Sequence, residues 1–199
     1  MSKRKLRLRD TEIRSNIHAG IREGFAAIRK MDDKYKKFKY IYHDNLISNP
    51  EYAGDAVVMT DGEYRINLYE EGIKIRCLQL ANVKELKSKF KDDATFVRYI
   101  AKNSFLHEFR HICQYVACDK LGIDKFNLIN YENDFKYGEG PLEKDANINS
   151  FGFIITDDSI IFLSDDDLTD LKRSAEETVK IINGKIKKKN HLICVAWLN

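Results

Sequence analysis

Proline is scarce, two in 199 residues, and glycine numbers only ten, which leaves no room for a collagenous, linker-like or low-complexity class. Four cysteines, Cys77, Cys113, Cys118 and Cys194, form no CxxC pair and fall far below the density of a disulfide-stapled scaffold, so they read as reduced thiols. Charge of one sign is not in excess either: 34 Lys and Arg against 31 Asp and Glu leave +3, too little to argue for nucleic acid. No apolar run approaches the roughly 18 residues of a membrane span, and the basic start, Lys3 to Arg9, lacks an apolar stretch behind it. These absences predict a soluble, cytoplasmic protein without a membrane partner. What remains is 43% hydrophobic and 11% aromatic, enough to bury a sizeable core, and a single domain over residues 1–199 is expected.

Apolar periodicity divides that domain. Residues 1–9 read as a basic tail. Ile13, Ile17, Ile21, Phe25 and Ile28 recur at helical steps behind an acidic start, Asp10-Thr-Glu, which predicts an amphipathic helix over 10–31. Phe38–Tyr42, Asp55–Thr60 and Tyr64–Tyr69 read as strands, the last two as a hairpin around Asp61-Gly62, with Tyr64, Ile66 and Leu68 on the buried face. A helix is expected from Ile73 to about Lys91, with Leu78, Leu80, Val83 and Leu86 as its apolar residues. A longer one, opened by Asp92-Asp93, runs from Ala94 through Cys118 on Phe96, Ile100, Phe105, Phe109, Ile112 and Val116, and stops at Gly122. After a polar stretch, 124–140, Pro141 suits a first helical turn leading to about Phe153. A C-terminal helix over 164–183 and a short buried strand over 191–198 complete the expectation, an α+β domain with a small twisted, partly antiparallel sheet.

The long helix carries His107-Glu-Phe-Arg-His111, an HExxH motif. Its two imidazoles stand one turn apart and can reach one ion from the same face. With five histidines, chance would produce the motif on the order of 0.01 times in such a chain. Zinc takes imidazole nitrogen at about 2 Å, and its catalytic sites use three protein ligands and keep one position open. Glu108, beside the first ligand, is placed to accept a proton from water rather than to bind the ion. The third ligand is sought in Pro141-Leu-Glu-Lys-Asp-Ala-Asn147, where Glu143 is preferred and Asp145 is the alternative. Asp145 would otherwise pair with Arg110 or another cation. Asn147, one turn after Glu143, could bond the far nitrogen of a ligand histidine, and Gln114, seven after His107, could tether a neighbouring group or a substrate. His18, His43 and His191 are outside candidates.

His107-Glu-Phe-Arg-His-Ile-Cys-Gln114, followed by Glu143-Lys-Asp-Ala-Asn147, resembles small zincin metallopeptidases of the gluzincin type. The HExRHxxQ and ExDA pieces are similar to those of compact bacterial and phage metallopeptidases, including the ImmA/IrrE-like group, over roughly Phe38 to Phe153. The resemblance implies a zincin-like fold, a zinc endopeptidase with His107, His111 and Glu143 as ligands and Glu108 as general base, and a sheet edge that aligns an extended peptide of a protein substrate. Tyr64–Tyr69 is the expected edge strand. The chain shows no helix-turn-helix or sensor segment, so the regulatory role of repressor-cleaving members does not carry over. No oxyanion donor stands out; Tyr115 and Tyr137 are nearest in sequence. The rival reading is a catalytically silent zincin-fold module for binding or for a phage structure. Nucleic acid binding through the N-terminal cations and Lys185–Lys189 is disfavoured, since both runs are short and lack aromatic platforms.

Overall fold

The computed structural model describes residues 6–31, 33–44, 52–122, 124–136, 140–155 and 160–162. The expected C-terminal helix and strand, together with His191, Cys194 and Tyr137, lie outside them. The described residues form a mixed α+β structure whose contacts group into residues 1–109 and 110–199.

The first unit opens with α1, Asp10–Ala27, four residues shorter than its apolar pattern suggests. Glu12 accepts the backbone N–H of Arg9 at 2.8 Å, satisfying a donor that the helix start leaves free. Strands β1 (Phe38–His43), β2 (Gly54–Val58) and β3 (Tyr64–Tyr69) form a sheet in the order β1-β3-β2. The β2–β3 hairpin is antiparallel as expected, with Ala56 opposite Ile66, but β1 pairs with β3 in parallel, Tyr40 opposite Ile66. The sheet is therefore mixed. Tyr64–Tyr69 is its central strand, not an edge, because both neighbours hydrogen-bond to it. Tyr64, Ile66 and Leu68 are buried as their alternation requires, and so is Asn67, on the opposite face.

The helix expected over 73–91 is broken. It forms α2 (Glu70–Leu80) and a single turn, α3 (Lys84–Lys87), with Val83 extended between them. Asn82 donates its side-chain amide to the carbonyl of Leu78, the local competition by which Asn disfavours helix continuation. Leu78 is exposed, while Ile73, Arg76, Cys77 and Leu80 face inward. Burial pushes the Cys77 thiol up to about 12.

Helix α4, Asp93–Leu121, is the longest element and passes from the first unit into the second. Asp92 caps it, accepting the N–H and hydroxyl of Thr95 at 2.7 Å each. Gly122, at φ +63°, takes the left-handed conformation that ends it. Phe96, Ile100, Phe105 and Phe109 are buried, and Phe25, Phe38 and Tyr40 gather around Phe105, the Phe25 ring at 4.4 Å. Each such ring removed from water contributes roughly 1.5–3 kcal/mol. At Gly20 of α1 a Cβ would lie 2.3 Å from the Arg98 carbonyl, so only glycine allows α1 to approach α4 this closely.

In the second unit the remainder of α4 is followed by α5 (Lys125–Glu132), α6 (Pro141–Phe151) and an antiparallel pair, β4 (Phe153–Ile155) and β5 (Ile160–Phe162). Helix α5 falls in the stretch read as merely polar. Helix α6 begins at Pro141, as expected, and buries Leu142, Ala146 and Phe151. Among the described residues no helix is long and apolar enough to cross a membrane.

Candidate metal centre

The HExxH residues lie on an unbroken stretch of α4, so His107 and His111 project from one face. Both are buried, 3% and 7% exposed, and Glu108 between them is 5% exposed. Glu143, in the first turn of α6, brings Oε1 to 3.2 Å from His111 Nε2. One donor atom from each of His107, His111 and Glu143 lies within 4.8 Å of the others, a group that can hold a metal ion. A four-coordinate ion with bonds near 2.0–2.1 Å separates its ligand atoms by about 3.3 Å, close to the His111–Glu143 spacing. Two imidazoles and one carboxylate are also the donor chemistry of an open, three-ligand site.

Asp145 does not join this group. Its carboxylate takes a two-pronged bond from Arg110, Nε at 2.7 Å and Nη2 at 3.0 Å, which is the pairing its position in the sequence suggests. Gln114 proves more consequential than Asn147. Its Oε1 lies 2.8 Å from His111 Nδ1, while its Nε2 donates to the Leu142 carbonyl at 3.1 Å and to Asp145 Oδ2 at 2.7 Å. Asn147 is buried on α6, but the bond to a ligand imidazole expected of it is made to His111 by Gln114 instead.

Glu132, at the end of α5, plays a part that sequence reasoning missed. Its two oxygens accept the backbone N–H groups of Leu142 and Glu143, at 2.9 and 3.1 Å, and so hold the turn that carries Glu143. Burial pushes its carboxyl above the ordinary range, and these two donors counter that shift only in part. The signal was present as an absence: Gly140 precedes α6 without a side-chain cap, so the first N–H groups of the helix must find an acceptor elsewhere.

Around Glu108 the first unit supplies backbone and a polar cluster. At Gly54 of β2 a Cβ would stand 2.9 Å from Glu108 Cγ, 2.8 Å from the Asn67 carbonyl and 2.7 Å from Leu68 Cδ2, so the strand passes directly against the acid. Next to Gly54, Asp55 accepts the Asn67 amide at 2.5 Å and the Tyr69 hydroxyl at 2.6 Å. Desolvation raises the Tyr69 phenol, and its bond to Asp55 raises it further. His43, one of the outside candidates, bonds Asn67 Oδ1 at 3.3 Å and stacks on Tyr69, while His18 lies against the Tyr42 ring. Neither belongs to the group that could hold a metal ion. Tyr115 is buried on α4. Comparison of this chain with protein-family models, with curated proteins and with solved structures finds no match in any of the three.

Proposed function

We propose that the protein is a zinc-dependent peptidase of zincin-like fold that hydrolyses peptide bonds in a protein substrate. The observation that carries this reading is the gathering of His107, His111 and Glu143 with Glu108 buried beside the first of them. The resemblance of HExRHxxQ and ExDA to gluzincin-type metallopeptidases supports the choice of zinc. When bound, zinc supplies Lewis acidity, drawing charge from a carbonyl and from water.

The chain's own residues do the remainder. His107, His111 and Glu143 would hold the ion through two imidazole nitrogens and a carboxylate oxygen. Glu108 takes a proton from the attacking water and returns it to the departing amine as the C–N bond breaks and the new C–O bond forms. Gly54, having no side chain, lets β2 run against Glu108. With Tyr64–Tyr69 central, β2 ends the strand order among the described residues and becomes the candidate strand along which an extended peptide is held.

Glu108→Gln tests the reading most directly. The variant should retain one zinc by elemental analysis while cleavage of a mixed peptide library falls by about 10²–10⁴-fold. Undiminished cleavage by the variant overturns the mechanism. Stoichiometric zinc with no hydrolysis by either form favours instead a silent module that binds without cutting.

A further inference from the structure

We propose that Gln114 is a positioning residue that sets the tautomer of His111, turning the lone pair of Nε2 toward Glu143, and that Asp145, clasped by Arg110, dictates which way the Gln114 amide faces. The inference deepens the proposed function and rests on it only where zinc is concerned.

A glutamine side chain has a donor end and an acceptor end that can in principle exchange places. Here they cannot. The nitrogen end faces two groups that only accept, the Leu142 carbonyl at 3.1 Å and Asp145 Oδ2 at 2.7 Å. Exchange would set an oxygen against both and forfeit two hydrogen bonds at a buried position, Gln114 being fully enclosed. Asp145 cannot relax to accommodate it, because Oδ2 also accepts Arg110 Nε and Oδ1 accepts Arg110 Nη2 and the Asn149 amide at 2.9 Å. With four donors around it, this carboxylate acts as an acceptor throughout.

The oxygen end of Gln114 therefore meets His111 Nδ1 at 2.8 Å, and Nδ1 must carry the hydrogen. A neutral imidazole has one N–H, so Nε2 is left as an acceptor, and it lies 3.2 Å from another acceptor, Glu143 Oε1. Two acceptors at that distance can share a metal ion or, when the imidazole is protonated, a proton. The same glutamine also grips Leu142, the residue before Glu143, so one side chain positions both ligands of the second unit.

The test uses the full chain with isotopically labelled histidine. In zinc-free wild-type protein, at a pH where the imidazoles are neutral, nitrogen NMR should find the His111 proton on Nδ1. Gln114→Met keeps the volume without the hydrogen bonds; it should move that proton at least partly to Nε2 and weaken zinc binding about 10–100-fold in chelator competition. Asp145→Ala, read on folded protein only, should shift the tautomer in the same direction. The double variant should bind zinc within about twofold of Gln114→Met alone, since both act through one chain of bonds. A wild-type proton on Nε2, an unmoved tautomer in Gln114→Met, or additive losses in the double variant would each overturn the inference. Because the tautomer is read without zinc or substrate, failure of wild-type protein to bind zinc would sink the proposed function and leave the tautomer assignment to its own spectrum.

Discussion

Two glutamates open helices in this protein, and their surroundings differ in kind. Glu70, the first residue of α2, is 3% exposed at its side chain and receives Arg14, Lys74 and the Tyr42 hydroxyl within 2.8–3.1 Å. Glu143, in the first turn of α6, keeps 20% of its side chain exposed and faces Nε2 of His111 at 3.2 Å, the far nitrogen of that ring lying 2.8 Å from Gln114 Oε1. Both positions favour a negative charge through the helix dipole. The donors around Glu70 bring their own protons and positive charge, so that carboxylate ties α1, β1 and α2 together. On the proposed tautomer the group facing Glu143 offers electrons instead, which suits a carboxylate that could hold an ion. Asp145, two residues further on, is treated as Glu70 is. Identity and burial alone do not distinguish a structural acid from a ligand; the nature of the partner atom does.

The largest effect that would sharpen this comparison is on metal binding. Replacing His111 or Glu143 by alanine should weaken zinc affinity by more than about 100-fold, beyond what loss of a supporting partner costs, whereas Glu70→Gln should leave it unchanged per folded molecule. Chelator competition decides the matter, and equal losses at the two glutamates would break the distinction. Stability should respond in the opposite sense. Glu70→Gln should cost about 3 kcal/mol in urea unfolding, at the low end for a broken buried pair because Arg14 is half exposed.

A smaller effect is expected at β2. Gly54→Ala should cost about 1–3 kcal/mol, since its Cβ would press on the Asn67 carbonyl and on Glu108, and it should lower turnover more than its stability loss explains. Normal turnover in a folded Gly54→Ala protein would remove β2 from the site. The smallest is a pH signature. Desolvation pushes the Glu70 carboxyl up, but bonds from Lys74, Tyr42 and Arg14 outweigh it and hold the group below its usual 4.5. Its contribution is therefore present above pH 4.5 and lost as the pH falls through the lowered value, where the unfolded chain binds the proton first. Unfolding curves across that acid range should be flatter for Glu70→Gln than for wild type.

Much of this was legible because it is local. The HExxH spacing, the caps at Asp92 and Gly122, the hairpin around Asp61-Gly62 and the start of α6 at Pro141 depend on residues a few positions apart. Even the Arg110–Asp145 pair was anticipated, because helical phase separates Asp145 from Glu143. The break at Asn82 was missed because the apolar pattern continues across it while a side chain competes for the backbone. Helix α5 was missed because its eight residues, half of them apolar, sit in a longer polar stretch, 124–140, and with it went Glu132, whose purpose is visible only from the helix it caps.

By itself, the sequence determined the chemistry on offer: two imidazoles in phase, an acid between them and a carboxylate on a later helix, since side-chain type and helical period need no knowledge of the fold. Only the tertiary structure decided which strand is central, since β1 finds β3 across more than twenty intervening residues and such pairing leaves no local trace. It alone decided, too, that Gln114 rather than Asn147 serves His111, because that choice turns on which amide reaches Nδ1 once α4 and α6 are side by side in the second unit.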